Sequence, residues 1–422
     1  MNLPGSPFLS RDAGELCLDG HRLRDLATRF GTPLYVYSRR AMLAALAPYQ
    51  RALAGRPHLV CYAVKANSNL AVLQTFAQAG CGFDIVSGGE LARVLAAGGE
   101  ASKVVFSGVG KTRDEMRQAI AAGVRCFNVE STAELEVLSE VAAGMGQRAR
   151  VSLRVNPDVD AGTHPYISTG LKGNKFGVAH EQALATYRRA ASLPGIEVVG
   201  IDCHIGSQIT EVAPYLDALD RVLDLVEAIE AAGITLHHMD LGGGLGITYT
   251  DETPPGADTL IAALLAKIDA RGHGHREVLF EPGRSLVGNA GVLLTEVMYL
   301  KPGEHKQFCI VDAAMNDLMR PALYEAYMGI VNTHERTEPG ETWDVVGPVC
   351  ESGDWLGRDR QLAVQPGDVL AVLSAGAYGM TMASNYNTRG RAAEVMVDGE
   401  RVVLVREREK AADLFKLEKL VD

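Results

Sequence analysis

From residue 58 to residue 285, short apolar runs alternate with segments of helical periodicity. The runs are short enough to be strands buried on both faces, whereas the segments between them repeat apolar residues at helical spacing. Strands are predicted at 58–65, 82–86, 103–107, 125–129, 149–155, 197–204, 237–241 and 277–282. Helices are predicted at 68–79, 88–97, 113–122, 131–143, 180–192, 212–232 and 257–270.

Local signals mark the ends of these helices. Ser131-Thr-Ala-Glu134 predicts a capping box at the start of the helix at 131–143. Thr112 stands just before the helix at 113–122, whose first turn contains acidic residues. Glycines stand where helices should end, at Gly80, Gly98, Gly123 and Gly233.

Eight strands joined by crossover helices fit a (β/α)₈ TIM barrel, and a doubly wound open sheet is the alternative for any such alternation. The barrel is favoured because chemically reactive residues end nearly every strand, and barrel enzymes collect their sites on that face. These strand-end residues are Lys65, Asp84, Ser107, Glu130, Asn156, His204, Gly242 and Glu281.

After residue 290 the pattern becomes one of short alternating runs separated by turn residues, which is typical of antiparallel strands. The predicted strands are 292–299, 306–312, 343–347, 369–373, 393–397 and 401–405. The run PLYVY at 33–37 is expected to join this second domain, with a helix at 40–54. We therefore predict a barrel domain at 38–288 and an antiparallel β domain, Greek-key or barrel-like, at 1–37 plus 289–422.

Composition narrows the class of partner. The net charge is −11, from 41 basic and 52 acidic residues, which argues against nucleic acid or an anionic membrane. We expect no membrane span, because no uncharged apolar run is long enough to form one. We also expect no signal peptide, because the first residues, MNLPGSPFLSRD, lack a basic segment followed by an apolar one. The seven cysteines show no paired spacing, which indicates a protein of the reducing cytoplasm. The sequence contains neither CxxC nor HExxH, so we predict no metal site.

Lys65 ends the first predicted barrel strand, after the apolar run from Leu59 to Val64. Burial disfavours the charged form of an amine, lowers its pKa and prepares it to attack a carbonyl. For a lysine considered alone, a surface position where the strand leaves the core is the simpler interpretation. The residues at the ends of the other barrel strands decide between a reactive amine and a surface lysine.

His204, in DCHIGSQ, is placed to lie flat against a planar ring, with a hydrogen-bonded core histidine as the alternative. Residues 240–246 read DLGGGLG, where backbone N–H groups can approach an anion closely, although a tight turn explains the glycines equally well. A dinucleotide fold would carry such a fingerprint in its first βα unit, whereas the loops after strands seven and eight are the usual phosphate site of a barrel.

Residues 281–284, Glu-Pro-Gly-Arg, end the eighth strand. A salt bridge between Glu281 and Arg284 is one interpretation; the other is a carboxylate for a ring nitrogen beside a guanidinium for a substrate carboxylate. Together with a Schiff-base lysine, a ring-stacking histidine and a glycine-rich anion site, this describes a site for pyridoxal phosphate (PLP), whose ring is an electron sink for carbanions.

On these residues the chain resembles the PLP-dependent amino-acid decarboxylases that combine an alanine-racemase-like barrel with a β domain. The shared segments are YAVKAN at 62–67, HIGSQ at 204–208, GGG at 242–244 and EPGR at 281–284. Further segments are similar to the diaminopimelate decarboxylases within that family: GTHPYISTG at 162–170, MRPALYEAY at 319–327, GPVCESGDWL at 347–356 and GAYGMTMASNYN at 376–387. Ala314, Met328 and TRGRAAEV at 388–395 depart from the family pattern beside the chemistry.

The resemblance implies a role for each matching residue. Lys65 would carry PLP as a Schiff base, His204 would stack on its ring and Glu281 would pair with its ring nitrogen. The cofactor's other contacts would come from Ser207, Gly243, Gly244, Gly283, Arg284 and Tyr378. The distal end of meso-diaminopimelate would be bound by Arg284, Arg320, Tyr324, Glu351 and Tyr378. Cys350 would protonate the carbanion after carbon dioxide leaves.

The implied reaction is decarboxylation of meso-2,6-diaminopimelate at its D centre to L-lysine, by a homodimer whose CESGD and GAYG segments reach the partner's barrel. Alternatives remain open. One is a decarboxylase of carboxynorspermidine, ornithine or arginine, whose substrates lack the distal amino-acid centre. An alanine racemase would not need CESGD, and a non-catalytic PLP-binding protein would not need the second domain.

Overall fold

The computed structural model describes residues 3–160 and 175–421, so the segment GTHPYISTG lies outside the described residues. The chain divides into two compact units. The barrel unit comprises Ala45–Ile247 and Thr253–Ser285, and the second unit comprises Met1–Ala44, Thr248–Glu252 and Leu286–Asp422.

The N-terminal part begins with a three-stranded antiparallel sheet, formed by β1 (Leu9–Asp12), β2 (Glu15–Leu18) and β3 (His21–Arg22). Helix α1 (Leu23–Phe30) follows, then strand β4 (Leu34–Ser38) and helix α2 (Arg39–Leu53). The sequence does not show strands β1 to β3 as an apolar pattern, because they are short and largely polar at their ends.

The barrel strands follow in chain order. They are β5 (His58–Ala63), β6 (Gly82–Ile85), β7 (Val104–Phe106), β8 (Cys126–Val129), β9 (Ala149–Asn156), the short β10 (Val178–Ala179), β11 (Ile196–Asp202), β12 (His238–Asp240) and β13 (Glu277–Phe280). All pairs are parallel, and among the described residues eight strands close a ring in the order β5-β6-β7-β8-β9-β11-β12-β13, with β13 pairing back to β5. The predicted (β/α)₈ barrel is confirmed.

Helices connect successive barrel strands. They are α3 (Leu70–Gln78), α4 (Gly88–Ala96), α5 (Arg113–Ala122), α6 (Thr132–Gly144), α7 (His180–Ser192), α8 (Ala213–Ala231) and α9 (Ala257–Ala270). Thr112 and Glu115 form a complete capping box at α5. The box predicted for α6 is only half formed: Ser131 accepts the Glu134 N–H, but the Glu134 carboxylate bonds the Glu130 N–H and buried Lys111 instead.

The barrel interior is filled by small apolar side chains that point inward from its strands. One buried cluster is formed by Leu59, Cys61, Val105, Cys126, Val199 and Leu279. Because this part of the interior is packed with side chains, we expect the site at the loop-bearing ends of the strands.

Helix α10 (Arg284–Val287) spans the boundary between the two units, and β14 (Gly291–Lys301) follows it in the second unit. The further elements of the second unit are β15 (Phe308–Val311), α11 (Arg320–Tyr324), β16 (Ile330–Asn332), β17 (Glu341–Val346), β18 (Trp355–Leu362), β19 (Val369–Val372), β20 (Ala393–Asp398), β21 (Arg401–Arg406) and α12 (Ala411–Phe415). The main sheet has the order β18-β17-β15-β14-β4-β20-β21, with β19 pairing β14 and β16.

This sheet is mostly antiparallel, as predicted, and PLYVY joins it as β4. Two pairs are parallel, β4 with β20 and β15 with β17, because β4 arrives from the distant N-terminal segment and β16 is inserted elsewhere in the sheet. Among the described residues, no helix is both long enough and apolar enough to cross a membrane.

Candidate active site

Lys65 lies in the 3₁₀ turn Val64–Ala66 that directly follows β5. Its Nζ forms an ion pair with Asp84 of β6, whose side chain is fully buried, whereas 37% of the lysine side chain remains accessible. The sequence predicted a poorly hydrated amine. The observed carboxylate partner favours the ammonium form and so opposes the effect of burial. Lys65 is therefore held at the strand end by a charge contact that the sequence alone does not reveal.

Glu281 follows β13 and is almost completely buried. Asn128 of β8 donates from Nδ2 to Glu281 Oε1 at 3.3 Å and to Ser107 Oγ at 3.1 Å. Burial raises the pKa of Glu281 well above its usual range, and the neighbouring Asp240 carboxyl raises it further. A buried carboxyl that readily holds a proton is suited to pair with a basic ring nitrogen.

His204 follows β11, and its imidazole is fixed by the glycine turn after β12. The Gly243 N–H donates to His204 Nδ1 at 3.2 Å, which leaves the ring proton on Nε2 in the neutral tautomer. Burial lowers the pKa of His204 well below its usual range, and the charges of Arg154 and Lys65 lower it further. A neutral, fixed imidazole can pack against a planar ring without bringing a charge.

The glycines of the 242–244 turn leave no room for side chains. A Cβ on Gly243 would lie 2.1 Å from the Glu281 carbonyl oxygen, and one on Gly244 would lie 2.4 Å from the Gly206 carbonyl oxygen. Gly244 also has a φ of +103°, which side-chain-bearing residues rarely adopt. The Gly242 and Gly243 N–H groups already donate to Asp240 Oδ1 and His204 Nδ1, so this backbone cradle offers a phosphate close approach rather than these two donors.

Arg284 and Ser207 meet next to this cradle. Arg284 donates from Nη2 to Ser207 Oγ at 3.0 Å, and its guanidinium is buried with 4% of the residue exposed. Gly283 lets the end of β13 pack closely on the lysine turn, since its Cβ would lie 3.0 Å from the Ala66 Cβ. The Ala63 N–H donates to the Pro282 carbonyl at 3.0 Å across the same contact.

Within the second unit, Arg320 and Tyr324 lie together on α11. The Arg320 guanidinium carbon is 5.8 Å from the Tyr324 ring centre and 5.3 Å from that of Tyr249. Aromatic faces stabilise a cation at these distances and hold its fork in a fixed orientation. Tyr249 carries no sequence signal and was not predicted.

Cys350 is exposed, whereas the other six cysteines are buried. Its segment is pinned by Asp354, which accepts the Val349 N–H at 2.7 Å and the Met315 N–H at 2.6 Å. Glu351 hydrogen-bonds Tyr386, and this bond raises the pKa of the tyrosine. The predicted turn-rich setting of Cys350 is thus observed.

Tyr378 belongs to the second unit and has a φ of +55°. The glycines on either side of it are tightly packed: a Cβ on Gly376 would lie 1.9 Å from the Val287 carbonyl oxygen, and one on Gly379 would lie 2.7 Å from Tyr35 Oη. Strained backbone of this kind persists where surrounding packing enforces it.

The predicted residues thus form two groups, each within one unit. The barrel unit brings together the strand-end set Lys65, His204, Ser207, Gly243, Gly244, Glu281, Gly283 and Arg284. The second unit carries Arg320, Tyr324, Cys350, Glu351 and Tyr378. Sequence reasoning missed the partners beneath the first group, namely Asn128, Asp202 and Asp240. The signal that could have identified these three residues is that each is a polar residue inside an otherwise apolar strand.

The barrel, with a lysine, a neutral histidine, a glycine cradle and a protonatable carboxyl at its carboxyl-end face, defines a PLP-dependent barrel enzyme. Residues 39–288 match the family model of the pyridoxal-dependent decarboxylases, pyridoxal binding domain. The chain belongs to this family and, within it, to the diaminopimelate decarboxylases, as the following relatives show.

A protein of Pseudomonas aeruginosa named diaminopimelate decarboxylase is 60% identical, over 98% of this chain and 99% of the relative. One of Vibrio cholerae with the same name is 55% identical, again over 98% and 99%. The crystal structure of diaminopimelate decarboxylase from M. jannaschii in complex with L-lysine is 40% identical and superimposes with a TM-score of 0.94, covering 99% of both chains.

Proposed function

We propose that this enzyme decarboxylates meso-2,6-diaminopimelate at its D centre, releasing carbon dioxide and L-lysine in the last step of lysine biosynthesis. The observation that carries the proposal is the strand-end set of the barrel, in which Lys65, neutral His204 and protonatable Glu281 surround a glycine cradle. The names of the relatives, and the L-lysine in the related crystal structure, give the substrate.

The donor set fits PLP. The cradle at Gly243 and Gly244 suits the phosphate, assisted by Ser207, Gly283, Arg284 and Tyr378. Lys65 offers an amine for a covalent link, His204 a flat neutral face, and Glu281 a carboxyl for the ring nitrogen. When bound, the cofactor supplies an electron sink for the carbon that loses carbon dioxide.

The second unit supplies groups that complement a whole amino-acid head. Arg320, oriented by Tyr249 and Tyr324, offers a guanidinium fork to the distal carboxylate, whereas a second fork is assigned to Arg284 of the barrel unit. Glu351 takes the distal ammonium, and Tyr378 adds a hydroxyl. Binding energy spent at the distal end orients the reacting centre without stabilising the carboxylate that must leave.

Cys350 provides the proton that replaces the lost carboxylate. This role is supported by the exposure of the Cys350 thiol and by the fixed turn that carries it, since an exposed thiol can contact another molecule. We further propose that the chain acts as a homodimer in which Cys350 and the GAYG segment serve the barrel of the second copy. Its compartment is the cytoplasm, because all seven cysteines are free thiols.

The decisive assay follows lysine and carbon dioxide from meso-diaminopimelate, with chiral analysis of the product. We expect L-lysine, and negligible product from the L,L isomer. Faster turnover of ornithine, arginine or carboxynorspermidine would instead identify a decarboxylase of another substrate. A chain that binds PLP but releases no carbon dioxide would contradict enzymatic activity altogether.

A further inference from the structure

Three carboxyl groups lie together beneath the cofactor cradle. Asp202 ends β11, Asp240 ends β12 and Glu281 follows β13, so neighbouring parallel strands deliver them to one place. One oxygen from each lies within 4.8 Å of the others. Asp202 and Asp240 are each 1% exposed and Glu281 is 6% exposed, so water cannot separate their charges.

The two carboxylate oxygens of Asp240 have different surroundings. Its Oδ1 accepts the Gly242 N–H at 3.0 Å, and the next residue of that turn donates to His204 Nδ1. Its Oδ2 is buried and accepts no well-aligned hydrogen bond among residues 3–160 and 175–421, although the Glu281 carboxyl and the Asn128 amide lie close enough to the Asp240 carboxyl to lower its pKa. A buried carboxylate oxygen without a well-aligned donor, next to another carboxyl, is satisfied most simply by a proton between the two.

The surrounding charges support a shared proton. Burial raises the pKa of Asp240 to about 6, and the nearby Asp84 carboxyl also raises it. The titratable and charged groups facing the pair from adjoining strands include Lys65, Asp84, Asp202, Arg154, Cys61, Cys126 and Cys203. Of the neighbouring carboxyls, Asp240 has the largest influence on Glu281, ahead of Asp84 and Asp202.

We propose that Asp240 is a positioning residue that shares one proton with Glu281 and, through Gly242, fixes the turn that orients His204. The two carboxyls together hold one proton and one negative charge. Asp240 thereby sets the protonation of the carboxyl assigned to the cofactor's ring nitrogen. The inference rests on the proposed function only in assigning Glu281 to the cofactor's ring nitrogen.

The test is a pH titration of the visible absorption of PLP-loaded enzyme. In Asp240→Asn, the amide oxygen can still accept the Gly242 N–H, but the like-charged neighbour of Glu281 is gone. The midpoint of the absorption change in this variant should lie at a lower pH than in the wild type. The expected difference is roughly 1–3 pH units, the range produced by a single adjacent charge. Asp202→Asn removes a carboxyl of equal burial and should move the midpoint less. Equal shifts in both variants, or none in Asp240→Asn, overturn the proposal.

A second measurement needs no variant. The infrared spectrum of the wild-type full chain at neutral pH should contain the C=O band of a buried carboxylic acid, displaced in D₂O. Absence of this band overturns the shared proton even if Asp240→Asn fails to fold. Neither measurement requires decarboxylation, so an enzyme inactive on diaminopimelate that still shows both signatures supports the inference and contradicts only the proposed function.

Discussion

Lys65 illustrates how one residue combines a structural and a chemical role. Its ion pair with Asp84 neutralises a fully buried carboxylate, so replacement by alanine leaves an uncompensated charge. Lys65→Arg retains a cation at this position but cannot form a Schiff base. Comparison of the two variants therefore separates the ion pair from the covalent link.

We expect both Lys65→Ala and Lys65→Arg to lose turnover and the borohydride-reducible link to PLP, with better folding in the arginine variant. Among the described residues, Lys111 also lies near the strand ends, but its amine is bound by Glu134 and two carbonyl oxygens, so we do not expect it to substitute. Lys103→Ala, at a surface ion pair, is the control and should retain both properties. A reducible adduct in Lys65→Arg would show that another amine carries the cofactor.

Arg320 is expected to select the substrate rather than hold the cofactor. Losing a charge-assisted contact of about 2–5 kcal/mol should lower kcat/KM for meso-diaminopimelate by roughly 30-fold to several thousand-fold in Arg320→Ala. PLP affinity, measured by equilibrium titration, should stay within a few-fold of wild type. Arg401→Ala, on exposed β21, is the matched control. Unchanged kinetics in Arg320→Ala would mean that the head-group assignment is wrong.

At the scale of residues, the sequence allows candidate site residues to be proposed where they stand at adjacent positions, as in EPGR or CESGD. It does not reveal a partner that comes from another strand. Asp84 is 19 residues from Lys65, and Asn128 is 153 residues from Glu281. Such partners are set by barrel closure, a tertiary property that local sequence does not encode.

At the level of elements, barrel strands were predictable because burial on both faces makes them continuous apolar runs. Strand β18 was missed, since residues 358–361 are charged or polar and Asp359 has a φ of +53° that breaks its alternation. The half-formed capping box at α6 has a similar origin: a buried lysine from the preceding βα loop competes for Glu134.

The glycine turn after β12 gives a prediction at this scale. In Gly243→Ala, the new methyl group must displace the Glu281 carbonyl, so the cradle and Glu281 both shift. We expect PLP affinity to fall about tenfold or more, since even small displacements in a preorganised site are costly. Gly144→Ala, near the end of α6 with open space around it, should bind PLP normally. Equal affinity in the two variants would contradict the cradle.

For the whole molecule, the net charge of −11 does not oppose the proposed substrate, because meso-diaminopimelate carries two carboxylates and two ammonium groups and is neutral overall at pH 7. Under the proposed function its recognition depends on short-range contacts instead. Arg284 and Arg320 are 4% and 6% exposed, so little solvent would screen their contacts with a bound carboxylate. We therefore expect kcat/KM for meso-diaminopimelate to change little when the ionic strength is raised.

The proposed homodimer is tested by mixing two inactive chains, Lys65→Ala and Cys350→Ala. If Cys350 serves the second copy's barrel, each mixed dimer contains one site with both lesions and one intact site. Random exchange of equal amounts should restore roughly a quarter of wild-type activity, since about half of the dimers are mixed and each has one working site. Fluorescent labels on the two chains confirm exchange, and Lys65→Ala mixed with Lys65→Ala is the control. Full exchange without recovery would show that each chain completes its own site.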